Sequence, residues 1–210
     1  LGAVRSAAQT ISFSIPLTLA VLTPIAINGS LNMLSFGENQ QGFSWYIFHN
    51  PFVVLSFIIY LISAIAEVNR TPFDIPEAES ELTGGYHTEY SGLRFAFFFL
   101  AEYAECFIVC AIATTLLFGC WNVPFLFNSS LLIDPGILRF TLQFLFFLIK
   151  TAVLFYILMW IRWTLPRLRV DQLMSFCWIY LTPLAFISFI GSMFWGWIFK
   201  NRSIMNLLFG

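Results

Sequence analysis

The run FAFFFLAEYAECFIVCAIATTLLFGC, residues 95–120, decides the fold. Only Glu102 and Glu105 interrupt it with charge, and its apolar residues fill every face instead of alternating. A half-buried strand alternates and a surface helix keeps one polar side, so this pattern favours a helix wrapped in lipid or protein. A hydrocarbon core about 30 Å thick takes roughly 20 apolar residues to cross as a helix. Residues 95–120 suffice.

Four further runs of the same character lie on either side, at residues 7–34, 51–66, 140–163 and 173–199. The run at 51–66 is short and crosses only with its flanks or a locally thinned bilayer. In all, 59% of the 210 residues are hydrophobic and the mean hydropathy is +0.82, leaving too little polar surface to clothe a soluble globule. The expected fold is all-α: one polytopic membrane domain over residues 1–210, with about five transmembrane helices and a structured acidic loop at 67–94.

A net charge of -1 gives nucleic acid nothing to bind. The placement of the cations is informative. Arg5, Arg70, Arg94, Arg162, Arg167 and Arg169 fall on one side of a five-helix chain, Arg139, Lys200 and Arg202 on the other. The positive-inside rule puts the Arg70 and Arg167 loops on the matrix or cytoplasmic face. Cys106, Cys110, Cys120 and Cys177 show no metal-ligand spacing with histidine and read as small packing residues.

The loop EVNRTPFDIPEAESELTGGYHTEYSG, residues 67–92, concentrates Glu67, Asp74, Glu77, Glu79, Glu81 and Glu89. Pro72 and Pro76 bend it, and Phe73, Ile75, Leu82 and Tyr86 interleave apolar anchors that a purely solvated loop would not need. Irregular backbone at a membrane edge is tolerated where it is buried in protein or lines a cavity, so a polar cavity rimmed by carboxylates is expected. Glu77, Glu79 and Glu81 repel one another, which favours proton uptake by one of them. Arg70 partly offsets them.

Glu102 and Glu105 stand three residues apart on one helix face and must be neutralised, paired or hydrated. Glu105 is expected to be buried. Lys150, midway along its apolar run, is expected to face inward to a partner. The short basic loop RWTLPRLRVDQLM, residues 162–174, suits anionic lipid headgroups or an acidic partner subunit.

The acidic loop followed by FAFFFLAEYAE, residues 95–105, closely resembles the signature of the subunit 1 family of respiratory complex I. LGAVRSAAQTIS at residues 1–12, Lys150 and TLPRLRVDQLM at residues 164–174 agree with it. The resemblance covers essentially the whole chain. It implies a non-autonomous membrane subunit of a proton-pumping NADH:quinone oxidoreductase, forming part of the quinone chamber and the start of a carboxylate path for protons. Glu67, Arg70, Asp74, Glu77, Glu79 and Glu81 then fall on the loop lining the chamber, Glu102 and Glu105 on the adjoining helix, and Lys150 further along the charged path. Ubiquinone is the implied substrate and no cofactor is bound by this chain. FMN and iron–sulfur clusters belong to partner subunits, among them the hydrophilic-arm subunits that complete the quinone site.

Family members carry eight transmembrane helices, whereas this sequence resembles them from just before the fourth. The expectation is that a separate polypeptide carries the first three, as split mitochondrial genes for this subunit do. Ser14 stands where the family keeps a membrane glutamate, and Ile179 where a lysine is often found. The phenylalanine-rich composition suggests an AT-rich genome and the mitochondrial inner membrane, with a bacterial plasma membrane as the alternative. An ion-translocating subunit of an energy-converting hydrogenase is the runner-up function. A secondary transporter is disfavoured because no inverted repeat relates the two halves.

Overall fold

The computed structural model describes residues 2–41, 44–74, 91–122, 137–166 and 168–198. These residues form helices and the turns between them. In chain order they are α1 (Gly2–Asn28), α2 (Met33–Asn39), a 3-10 turn (Tyr46–Phe48), α3 (Pro51–Glu67), α4 (Leu93–Leu117), α5 (Ile137–Thr164), α6 (Val170–Ser175), a π-helical stretch (Phe176–Leu181) and α7 (Thr182–Ile198). The π-helical stretch joins α6 and α7 into one rod, with Thr182 Oγ1 donating 2.9 Å to the Cys177 carbonyl.

Among the described residues, four helices are long and apolar enough to cross a bilayer: Ala7–Asn28, Leu93–Leu117, Phe140–Thr164 and Asp171–Ile198. The fifth, α3, has 17 residues, about 25 Å at a rise of about 1.5 Å per residue. Asn50 caps it, its side chain accepting from Phe52 N at 3.0 Å, and Pro51 supplies the preset first turn.

The expectation of a first span over 7–34 requires correction. The helix stops at Asn28, where Gly29 takes the left-handed φ of +73°. The Asn28 side chain gathers the Ser30 hydroxyl at 3.0 Å and the Ser35 hydroxyl at 2.7 Å. Asn32 then caps the separate helix α2. The apolar residues beyond Asn28 hid a turn written in its polar ones.

Between lipid-facing helices there is no water to expel, so association rests on close packing and interhelical hydrogen bonds. The seam where α1, α3 and α7 meet is accordingly lined by small buried residues: Ala20, Ser56, Ala64, Ala185, Ser188 and Ser192. Ser56 Oγ donates 2.8 Å to the Ala20 carbonyl. A Cβ at Gly191 would lie 2.6 Å from the Phe52 ring, so α7 approaches α3 only because that position is glycine.

Helix α4 packs with α5 and reaches α3 through Tyr60, whose hydroxyl donates 2.8 Å to the Val109 carbonyl. Its second half is buried at Cys106, Cys110, Ala113 and Thr114, whereas residues 93–101 are exposed. The spans alternate in direction. This gathers the end of α3, the start of α4 and the end of α5 at one edge of the bundle.

Candidate functional site

The site is built where α3 stops. Val68 N closes the last turn on the Ala64 carbonyl at 3.1 Å, and Asn69 turns the chain with a φ of +53°. Gln9 of α1, 1% exposed, then clamps the segment that follows. Its Nε2 donates 2.7 Å to the Ala66 carbonyl and 2.9 Å to the Phe73 carbonyl. Leu168 N donates 3.2 Å to the Pro72 carbonyl from the loop before α6. Phe73 anchors the same segment against Phe13, with ring centroids 5.5 Å apart. Residues 68–74 are thus tied both to α1 and to the loop before α6.

Held this way, Arg70 meets α4. Its Nη2 lies 3.0 Å from Glu102 Oε2, and the two side chains are 11% and 16% exposed. The guanidinium carbon sits 4.5 Å from the centroid of the Tyr103 ring, so the charge is met by a carboxylate and by a π face. An ion pair in such surroundings holds only with near-contact geometry, because both ions have left water. Arg70 also lines a cavity of ≈ 20 Å³ between α3, α4 and α5, together with Cys106, Met159 and Arg162. That is room for one water molecule.

Of the expected site residues, Glu67, Arg70 and Glu102 come together at this edge, and Asp74 lies half-buried on the clamped segment. Glu67 Oε2 is buried without a hydrogen-bond partner among the described residues. Glu77, Glu79 and Glu81 lie outside the described residues. The expectation that Glu105 is buried is corrected: it shares the Glu102 side of α4 but stands exposed at the open end of the cluster.

Lys150 does not join this cluster. It lies 12 residues before Arg162 on α5, about 18 Å along the axis. As expected it faces inward, but to backbone. Its Nζ donates to the carbonyls of Phe118 at 2.9 Å, Cys120 at 3.3 Å and Asn122 at 2.8 Å, just past the end of α4. The ammonium also lies 5.0 Å from the Trp45 ring centroid.

Gln9, Tyr103 and Arg162 were not singled out as site residues from sequence. The signal for Gln9 was present as a lone amide inside an apolar helix. For Tyr103 and Arg162 the sequence offers none, since their value depends on which helix they meet.

Chemically, carboxylates clustered at one membrane edge around the Arg70 guanidinium can take up, hold and pass protons. A bundle of lipid-length helices carrying such a cluster, with a lysine at membrane depth, defines a polytopic charge-handling membrane protein. The chain belongs to the NADH dehydrogenase family, whose sequence profile matches residues 1–193. It is 46% identical over 205 residues to an NADH-quinone oxidoreductase subunit of Anaeromyxobacter dehalogenans, covering 92% of this chain and 50% of that protein. The corresponding subunits of Chlorobium luteolum, 45% identical over 199 residues with 92% and 53% covered, and Protochlamydia amoebophila, 47% identical over 190 residues with 90% and 53% covered, are similar. The chain spans about half the length of these relatives.

Proposed function

We propose that this chain is a non-autonomous membrane subunit of a proton-translocating NADH:quinone oxidoreductase. In this reading, residues 67–94 and the first half of α4 line part of the quinone chamber, and Glu67, Asp74 and Glu102 begin the route by which protons leave it. The observation that carries the proposal is the Arg70–Glu102 pair, largely withdrawn from the surface beside a water-sized cavity at the edge where the acidic loop begins. Reducing a quinone to a quinol takes up protons at its oxygens, and a carboxylate cluster beside the chamber supplies groups to deliver them. Arg70 keeps net negative charge from accumulating there. Electrons come from iron–sulfur clusters in partner subunits, fed by FMN, and the quinone is ubiquinone.

The membrane is the mitochondrial inner membrane by the phenylalanine-rich composition, while the bacterial relatives support a bacterial plasma membrane as the alternative. Glu105 takes over part of the role of the glutamate replaced by Ser14, whose hydroxyl donates 2.9 Å to its own helix at the Ile11 carbonyl. Purifying the complex that contains this chain tests the reading. Flavin, iron–sulfur clusters and sensitivity to quinone-site inhibitors are expected; nickel in place of flavin would transfer the chain to the hydrogenase class.

A further inference from the structure

Helix α4 ends at Leu117, and the carbonyls beyond it meet a side chain that springs from well inside the apolar span of α5. Lys150 is 10 residues from the start of the Phe140–Thr164 span, about 15 Å along it. Irregular backbone at that depth survives only where protein satisfies it, and here a polar knot does so. Gln40, fully buried, donates 3.2 Å to the Leu116 carbonyl and accepts from Gly119 N at 3.0 Å and Tyr46 N at 3.2 Å. Asn122 donates to the Gly37 carbonyl, and to that of Gln40 at 3.2 Å. Trp45 packs so closely on Gly119 that a Cβ there would lie 2.7 Å from its ring. Trp121 fills the space over Gly37 in the same way, at 2.6 Å.

Lys150 closes this knot. An ammonium has three N–H groups, and the three carbonyls past α4 take them all. Its partners among the described residues are these carbonyls and the Trp45 ring, not a carboxylate. The negative end of the α4 dipole steadies the ammonium without cancelling it. The result is an ammonium seated in a tightly packed plug, toward the opposite end of α4 from Glu102 and the acidic edge. Positive charge set in a constricted path is how pores exclude protons and cations.

We propose that Lys150, seated on the broken end of α4, is an electrostatic barrier that stops protons passing between the Glu67–Arg70–Glu102 edge and the opposite membrane face. It insulates the carboxylate path, so that protons taken up at the acidic edge do not leak straight across. The inference rests on the proposed function only in placing the chain in a proton-coupling membrane complex.

The test is passive proton leak in vesicles holding the purified complex, without NADH or quinone, after an acid pulse read by an internal pH dye. Lys150→Gln keeps two N–H donors for the three carbonyls and removes the charge; Lys150→Arg keeps the charge and the donors. A unit charge about 10 Å from the route, at an effective dielectric of about 20, changes the barrier enough for a roughly tenfold difference in leak. K150Q is expected to dissipate the gradient about that much faster at equal assembled complex, with K150R retaining it. Parental retention by assembled K150Q overturns the proposal. Trp45→Glu sets a carboxylate against the ammonium, and Trp45→Gln, of the same size without the charge, controls for the space that the indole leaves. If K150Q fails to assemble, this pair decides, faster leak in W45E than in W45Q supporting the barrier and equal leak refuting it. The absence of quinone separates this result from any failure of the quinone-chamber reading.

Discussion

Removing the Arg70 guanidinium while keeping Glu102 leaves a carboxylate in surroundings shaped for a pair. At the observed 3.0 Å and an effective dielectric of about 20, the attraction is about 5 kcal/mol. Desolvation offsets part of it, and one-sided removal of a buried pair costs about 3–5 kcal/mol. Interhelical contacts in membranes run weaker, because the unfolded chain also finds partners, so we expect about 3 kcal/mol for Arg70→Met. The assay is the rate of thermal inactivation of the purified complex for Arg70→Met, Glu102→Gln and the double variant. Since about 1.4 kcal/mol is tenfold in rate, R70M should inactivate about a hundred times faster. The double variant should be no worse than R70M, since a neutral glutamine in place of Glu102 leaves no charge uncompensated. If the double variant loses the sum of the two single losses, the pair carries no coupling and the argument from its geometry is wrong.

Gln9→Leu strips the Ala66 and Phe73 carbonyls of their shared donor, at about 1–3 kcal/mol for each group left unsatisfied; it should raise the KM for quinone as the clamped segment loosens, measured with a soluble quinone analogue. Gly191→Ala drives a methyl into Phe52 and should destabilise by about 1–3 kcal/mol, with Phe52→Leu restoring heat stability. Glu105→Gln should lower proton pumping per quinone reduced, with Glu102→Gln lowering it further; normal pumping by E105Q alongside impaired E102Q would remove Glu105 from the path.

The spans were legible because a run such as residues 140–163 has one physical solution in lipid. The end of α1 was not, because Leu31, Met33 and Leu34 continued the apolar composition past the Asn28–Gly29 stop. At the site, Arg70 and Glu102 were both named from sequence, but their pairing depends on α3 and α4 meeting at that edge, which spacing along the chain does not encode. Lys150 was rightly expected to face inward. Its partners were unreadable, since a backbone carbonyl has no letter in the sequence and a helix end at membrane depth follows only from knowing where α4 breaks. Glu105 was misjudged for the complementary reason: a carboxylate in an apolar run says that something must meet it, without saying that this chain supplies it.

The quinone chamber is the central claim, and photoaffinity labelling tests it most directly. The purified complex would be irradiated with a radioactive azido-quinone and the labelled peptides of this chain mapped, with and without excess ubiquinone. Label is predicted within residues 67–94 or the first half of α4, and it should disappear under excess ubiquinone. Label confined to other subunits, or label on this chain that excess ubiquinone leaves unchanged, would contradict the account.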